Sequence, residues 1–262
     1  MLVTDDKIEK DIQYDKTGEK RKEETVMYKT IGMIGGMGPA ATADLMMKII
    51  EMTDAKSDQE HIRMIIDNNT NIPDRTDAIL HGGKDPVPEM SASAEILEKA
   101  GADFIIIPCN TAHYFIPEVA KHTSLPILNM PEETAKLLKE RGVKKAAVLG
   151  TDGTVQSGMY QKALDKEGIE AIYPDENQQK QLMSLIYDYI KKGIMDAESL
   201  PITETSAIAD DLRSRGAEVL LLACTELPLG FSIMGLEDDS CVDPTRVLAC
   251  AAVRYAGAKV KE

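Results

Sequence analysis

The chain repeats itself. The segment IGMIGGMGP at 31–39 recurs in character as AAVLGTDGT at 146–154, which sets Gly35 against Gly150. The segment FIIIPCNTA at 104–112 recurs as VLLLACTEL at 219–227, which sets Cys109 against Cys224. Both pairs are 115 residues apart, and a third pair, Met130-Pro131 with Asp243-Pro244, agrees to within two residues. Independent landmarks that share one period point to two similar units. A chain of 262 residues has room for two α/β halves of that size, each with a glycine loop and a strand-end cysteine.

The local pattern agrees. Short β-rich apolar runs at 30–35, 64–67, 103–108, 127–129, 145–150, 169–173 and 218–223 alternate with helical periodicity at 40–52, 89–100, 132–141, 159–167, 178–192 and 203–215. FIIIP and VLLLA are apolar on both faces, as parallel strands covered by helices on each side must be. The expected architecture is α/β: two similar Rossmann-like domains with parallel sheets, related by a pseudo-twofold, with the active site in the cleft between them. The first domain is expected to comprise 30–128 plus 243–262 and the second 129–242, after a charged arm at 1–29. Residues 1–30 hold seven basic and eight acidic side chains, too few apolar ones to bury much, so this arm reads as a solvated tail or a short exposed helix.

Charge and hydropathy remove several classes of partner. Thirty Lys and Arg face 44 Asp and Glu, and a net charge of −14 opposes binding to a polyanion, so no nucleic-acid partner is expected. No apolar run approaches the ~20 residues of a membrane span, and the charged first 30 residues do not resemble a signal peptide. A cytoplasmic protein with no membrane partner is expected, its four cysteines kept as thiols since none has CxxC spacing.

In open α/β sheets, ligands bind beyond the carboxyl ends of strands. Cys109 and Cys224 each sit at such an end, before Asn110-Thr111 and Thr225-Glu226, so two halves facing each other would place both thiols in one cleft. Cys241 and Cys250 lack that context, and Cys250 falls in the apolar pattern VLACAAV. The paired cysteines have no histidine at ligand spacing, so no metal is expected. Two thiols on opposite faces of one carbon suit a proton swap, one removing a proton as thiolate and the other delivering one as thiol. The loop containing Gly35, Gly36 and Gly38 is not GxGxxG, and Asp54 stands alone in a charged helix end, so it reads as a tight turn beside a small ligand.

Five motifs, IGMIGGMGP (31–39), DNNTNIPDRT (67–76), PCNTAHYF (108–115), VLGTDGT (148–154) and ACTELPL (223–229), together resemble the aspartate/glutamate racemase superfamily over about 30–260. Within it the aspartate racemases and their amino-acid racemase relatives are most similar. The resemblance implies racemisation of an acidic amino acid, aspartate or glutamate, without pyridoxal phosphate or any other cofactor, with Cys109 and Cys224 as the two bases. It further implies that Asn110, Thr111, Thr151 and Thr225 hold the substrate's α-carboxylate and amino group. Arg75 resembles the residue that binds an acidic side chain, its other reading being an ion pair with Asp74 or Asp77. Lys192 resembles a second basic partner, a role its neighbour Lys191 could take. Glu226 and His113 are expected as helpers beside the cysteines, Glu226 supporting the substrate ammonium or the neighbouring thiol. A homodimer is expected. The rival readings are a hydantoin racemase, a maleate isomerase-like enzyme, or an amino-acid-binding protein that turns nothing over.

Overall fold

A computed structural model describes residues 28–261, so the charged arm lies outside the described residues except for Tyr28 and Lys29. In chain order the elements are β1 (Ile31–Gly35), α1 (Pro39–Met52), β2 (Met64–Asn68), α2 (Arg75–Leu80), α3 (Val87–Lys99), β3 (Phe104–Ile106) and α4 (Ile116–Val119). There follow α5 (Met130–Glu140), β4 (Lys145–Gly150), α6 (Asp152–Gln156), α7 (Met159–Lys166), β5 (Glu170–Ile172) and α8 (Glu176–Ser184). The chain ends with α9 (Ile202–Ser214), β6 (Val219–Ala223), α10 (Glu226–Ile233), β7 (Cys241–Val242) and α11 (Pro244–Ala256).

Two parallel sheets form, one in the order β2-β1-β3 and one in the order β5-β4-β6-β7. Strands matched by the repeat hold matching places. β1 and β4 are flanked by β2 and β5 on one side and by β3 and β6 on the other. β1 and β6 are buried along their whole length, because helices cover both faces. α11 returns from the end of the chain to pack Leu248, Ala249, Ala252 and Val253 with Leu45 and Ile49 of α1 and Ile31 and Phe104 of the first sheet.

Two expected elements change and one strand was not expected. The run at 127–129 makes a single bridge, Ile127 to Ile105, because Asn129 is already the cap of α5 and accepts from the Glu132 N–H at 3.2 Å. The helix expected at 178–192 starts earlier, at an Asp175 capping box closed by Gln178, and its α-helical hydrogen bonding ends at Ser184. A π turn over Leu185–Tyr189 and a 3₁₀ turn over Ile190–Lys192 complete it. β7, of two residues, is too short for period-2 alternation to reveal.

The turn after β1 positions the first half's contribution to the cleft. Thr42 Oγ1 accepts from the Gly36 N–H at 2.9 Å and donates to the Gly38 carbonyl at 3.1 Å, tying the loop to α1. Gly36 has φ +90°, and a Cβ there would lie 2.3 Å from the backbone carbon and oxygen of Asn69. Gly36→Ala combines a left-handed backbone with a contact to unyielding main chain. It is expected to destabilise the fold by on the order of 3 kcal/mol, read as a lower denaturant midpoint at unchanged slope.

Candidate active site

The carboxyl ends of β1, β3, β4 and β6 converge on one small cavity. Beyond β3 the chain runs through Cys109 and Asn110 into a 3₁₀ turn, Thr111–Phe115. His113 in that turn is buried, and its Nδ1 donates to the Cys109 carbonyl at 2.8 Å. Burial disfavours the imidazolium and lowers the His113 pKa to about 4, so the ring is a neutral brace behind Cys109. The folded value lies below the ~6.5 of a free imidazole, so across that interval the unfolded chain binds the extra proton. The stability this group contributes is complete above about pH 6.5 and is lost as pH falls toward about 4, on the order of 3 kcal/mol. His113→Asn keeps a donor for the carbonyl without the titration. Urea unfolding is expected to show a smaller stability loss for the variant than for the wild type between about pH 7 and about pH 4.5.

Asn110 is buried with its Oδ1 accepting from the Tyr160 hydroxyl at 2.6 Å, while its Nδ2 has no partner among the described residues. A buried donor left without a partner is costly, and so unusual in a native wall. Arg75, at the start of α2, is also buried. Its guanidinium donates to the carbonyls of Pro73 (2.8 Å), Met37 (3.2 Å) and Ile72 (3.3 Å), and its Nε is buried without a partner among the described residues. Burial opposes the Arg75 charge, yet Cys109 and Asp74 beside it outweigh burial and its pKa rises.

From the second half come Cys224, Thr225 and Glu226, at the junction of β6 and α10. The Cys224 Sγ donates to Glu226 Oε2 at 3.0 Å, and the Thr225 hydroxyl donates to the same oxygen at 3.0 Å. Glu226 Oε1 lies 3.0 Å from Lys191 Nζ, with both side chains largely buried. Burial, and then the adjacent Glu226 carboxylate, push the Cys224 thiol well above its ordinary pKa, so Cys224 is a protonated thiol in this arrangement. Burial alone would raise the Glu226 carboxyl too. Lys191, with the Cys224 and Thr225 donors, outweighs it and holds the carboxyl below its usual range. Lys191 is likewise held charged: burial opposes its charge, but the Glu226 carboxylate beside it overcomes that.

A cluster of hydroxyls joins the halves. Thr151 caps α6 by accepting from the Thr154 N–H at 3.2 Å, and the Thr111 hydroxyl from the first half sits 3.0 Å from Thr151 Oγ1 and 2.9 Å from Thr154 Oγ1. Gly153 is required here, since a Cβ would lie 2.8 Å from Thr76 Oγ1 and 2.9 Å from Thr111 Cγ2. Across the mouth, the Tyr187 hydroxyl donates to Asp74 Oδ2 at 3.3 Å. The cavity between these residues measures about 20 Å³, room for about one water. Lys191, Thr225 and Glu226 form a wall shared with an open groove of about 630 Å³, floored by residues such as Ile190, Met195 and Leu229.

Residues 34–252 match the profile of the family described as Asp/Glu/Hydantoin racemase. The chain belongs to that family. This racemase is 34% identical over 212 residues to the broad specificity amino-acid racemase RacX of Bacillus subtilis, a match that covers 75% of this chain and 85% of the relative. Among solved structures it resembles the Picrophilus torridus aspartate racemase at 32% identity and a TM-score of 0.74, over 89% of this chain and 96% of that one. An aspartate racemase homologue from Pyrococcus horikoshii OT3 superposes with a TM-score of 0.70 at 26% identity, over 87% of this chain and 99% of that one.

Most of the residues singled out in the racemase sequence meet in the cavity wall: Cys109, Asn110, Thr111 and Arg75 from one half, Thr151, Cys224, Thr225 and Glu226 from the other. Lys192 does not. Its Nζ pairs with Asp188 at 2.9 Å on the exposed surface, while Lys191 lines the cavity. Both lysines lie in the 3₁₀ turn Ile190–Lys192 that follows the π turn, and of the two it is Lys191, the alternative the resemblance left open, that faces the cavity. Arg75 is anchored by backbone carbonyls in the wall, not held in a surface ion pair. The wall also contains Met37, Asp74, Thr76 and Tyr187, which sequence reasoning did not name as site residues. Tyr187 stands one helical repeat before Lys191 and stacks near it, with Lys191 Nζ 5.4 Å from the ring centroid. No helix among the described residues is long and apolar enough to cross a membrane.

Proposed function

We propose that this racemase inverts the α-carbon of an acidic amino acid, aspartate or glutamate, by exchanging protons with Cys109 and Cys224 and without a cofactor. The observation that carries the reading is the meeting of two buried thiols, from equivalent strand ends of the two halves, in the wall of one cavity. A thiolate on one side removes the α-proton, and a thiol on the other delivers its own proton to the opposite face. Bond counts balance within the pair of thiols, so the step needs no external acid. The unpartnered Asn110 Nδ2 and the hydroxyls of Thr111, Thr151 and Thr225 suit an α-carboxylate and an ammonium, since they offer both donors and acceptors. Arg75 and Lys191 supply the positive charge that a side-chain carboxylate needs in a largely buried site.

The broad specificity named for the Bacillus subtilis relative, together with the 630 Å³ groove behind Lys191 and Glu226, supports a second reading in which longer side chains are also accepted. A second copy of the chain is the proposed partner, which light scattering reads directly. Purified protein incubated with single enantiomers of aspartate, glutamate and neutral amino acids, after chelator treatment and with no added pyridoxal phosphate, tests the main reading by chiral chromatography. Conversion of aspartate or glutamate in preference to neutral substrates is expected. Conversion of a hydantoin or of maleate alone, or binding with no conversion, would contradict it.

A further inference from the structure

The two-thiol reaction leaves the enzyme in the mirror image of its starting state. When Cys109 begins as thiolate and Cys224 as thiol, the α-proton ends on Cys109 Sγ and the proton of Cys224 ends on the product. A second turnover in the same direction then requires one proton gained at Cys224 and one lost at Cys109. Cys224 is buried, and its Sγ meets Glu226 Oε2 at 3.0 Å. The other oxygen of that carboxylate is held 3.0 Å from Lys191 Nζ, and Glu226 borders both the thiol cavity and the large groove outside it. The carboxylate therefore sits between the buried Cys224 thiol and the open groove.

We propose that Glu226, oriented by Lys191, is a positioning and relay residue that returns a proton from the groove to Cys224 between turnovers. Solvent in the groove protonates the carboxylate left beside the new Cys224 thiolate. The carboxylic acid passes that proton to Sγ and becomes a carboxylate again, and Cys109 releases its proton to solvent as product leaves. Net change per cycle is one proton taken up and one released, with no oxidation or reduction. Two adjacent anions, thiolate and carboxylate, favour the uptake, and Lys191 recovers its ion pair once Cys224 is a thiol again. Thr225, donating to the same Oε2 at 3.0 Å, fixes the carboxylate so that the transfer needs little movement.

This inference rests on the two-thiol reading, and its test separates the two. Net conversion of one enantiomer depends on the reset. Exchange of labelled aspartate into its mirror image at racemic equilibrium does not, because unlabelled substrate of the opposite hand returns the thiols to their starting state. Glu226→Gln keeps the shape and loses the proton-carrying acid. The ratio of net conversion at saturating substrate to equilibrium tracer exchange is expected to fall roughly tenfold or more. Glu226→Asp, which keeps an acid, is expected to recover much of that ratio and guards against a folding defect in the first variant. Loss of both rates in the same proportion would make Glu226 merely structural, and an unchanged ratio would place the reset elsewhere; either overturns the relay. A wild-type enzyme that converts no amino acid would overturn the two-thiol reading itself, and the relay with it.

Discussion

Cys109→Ser and Cys224→Ser are each expected to lower net inversion of aspartate by about 10³-fold or more, because a serine hydroxyl is too weak an acid to take part at either face. The two variants should not be equivalent in what they keep. The thiol that remains can still remove the α-proton on its own side and return a solvent proton to the same side. Cys109→Ser is therefore expected to exchange the α-hydrogen of one enantiomer with deuterium oxide, and Cys224→Ser that of the other, each with retention. Serine at 224 can still donate to Glu226, so this variant keeps the buried hydrogen bond and its loss reports chemistry rather than folding. Proton NMR of single enantiomers followed by chiral chromatography reads both quantities. Exchange of the same enantiomer by both variants would contradict the assignment of one thiol to each face.

Arg75 carries the second large effect. Its guanidinium is buried beside Cys109 and anchored by three backbone carbonyls, with Nε left over. Arg75→Lys keeps the charge and loses the fork, and hydrogen bonds to charged groups are worth about 1.5–3 kcal/mol each. A fall of about 10²-fold in kcat/KM for aspartate is expected, with a smaller fall for alanine, whose side chain has no carboxylate to hold. Parallel losses for the two substrates would assign Arg75 to the support of the loop around Met37 and Ile72 alone.

The halves were legible because the repeat is written in residues with special chemistry. Gly35 and Gly150 end β1 and β4, where only a small residue fits: a Cβ at Gly35 would lie 2.5 Å from Thr42, and one at Gly150 would lie 2.9 Å from the Ala223 carbonyl. Cys109 and Cys224 stand just past strands whose apolar runs are buried on both faces, so a strand-end position could be read directly. Lys191 was not legible over Lys192. The two lysines are adjacent in one turn, so which of them faces the cavity is set by tertiary packing, with Leu185, Ile186 and Ile190 buried in the second core. Asp74 and Tyr187 were hidden for a related reason, since their contact joins residues 113 apart in the chain and no local pattern announces it. The run at 127–129 has the composition of a strand, but the cap at Asn129 begins a helix before more than one bridge can form.

Both thiols bordering one cavity makes a specific demand on isotope flow. The direct measurement follows a single aspartate enantiomer in deuterium oxide through the first part of its conversion by the wild-type enzyme, with the α-position of substrate and product read separately after chiral separation. Two thiols on opposite faces predict a product that carries deuterium from its first appearance while the remaining substrate stays protiated. A product that retains the substrate's own hydrogen, or a substrate that gains deuterium as fast as product forms, would mean that one group serves both faces.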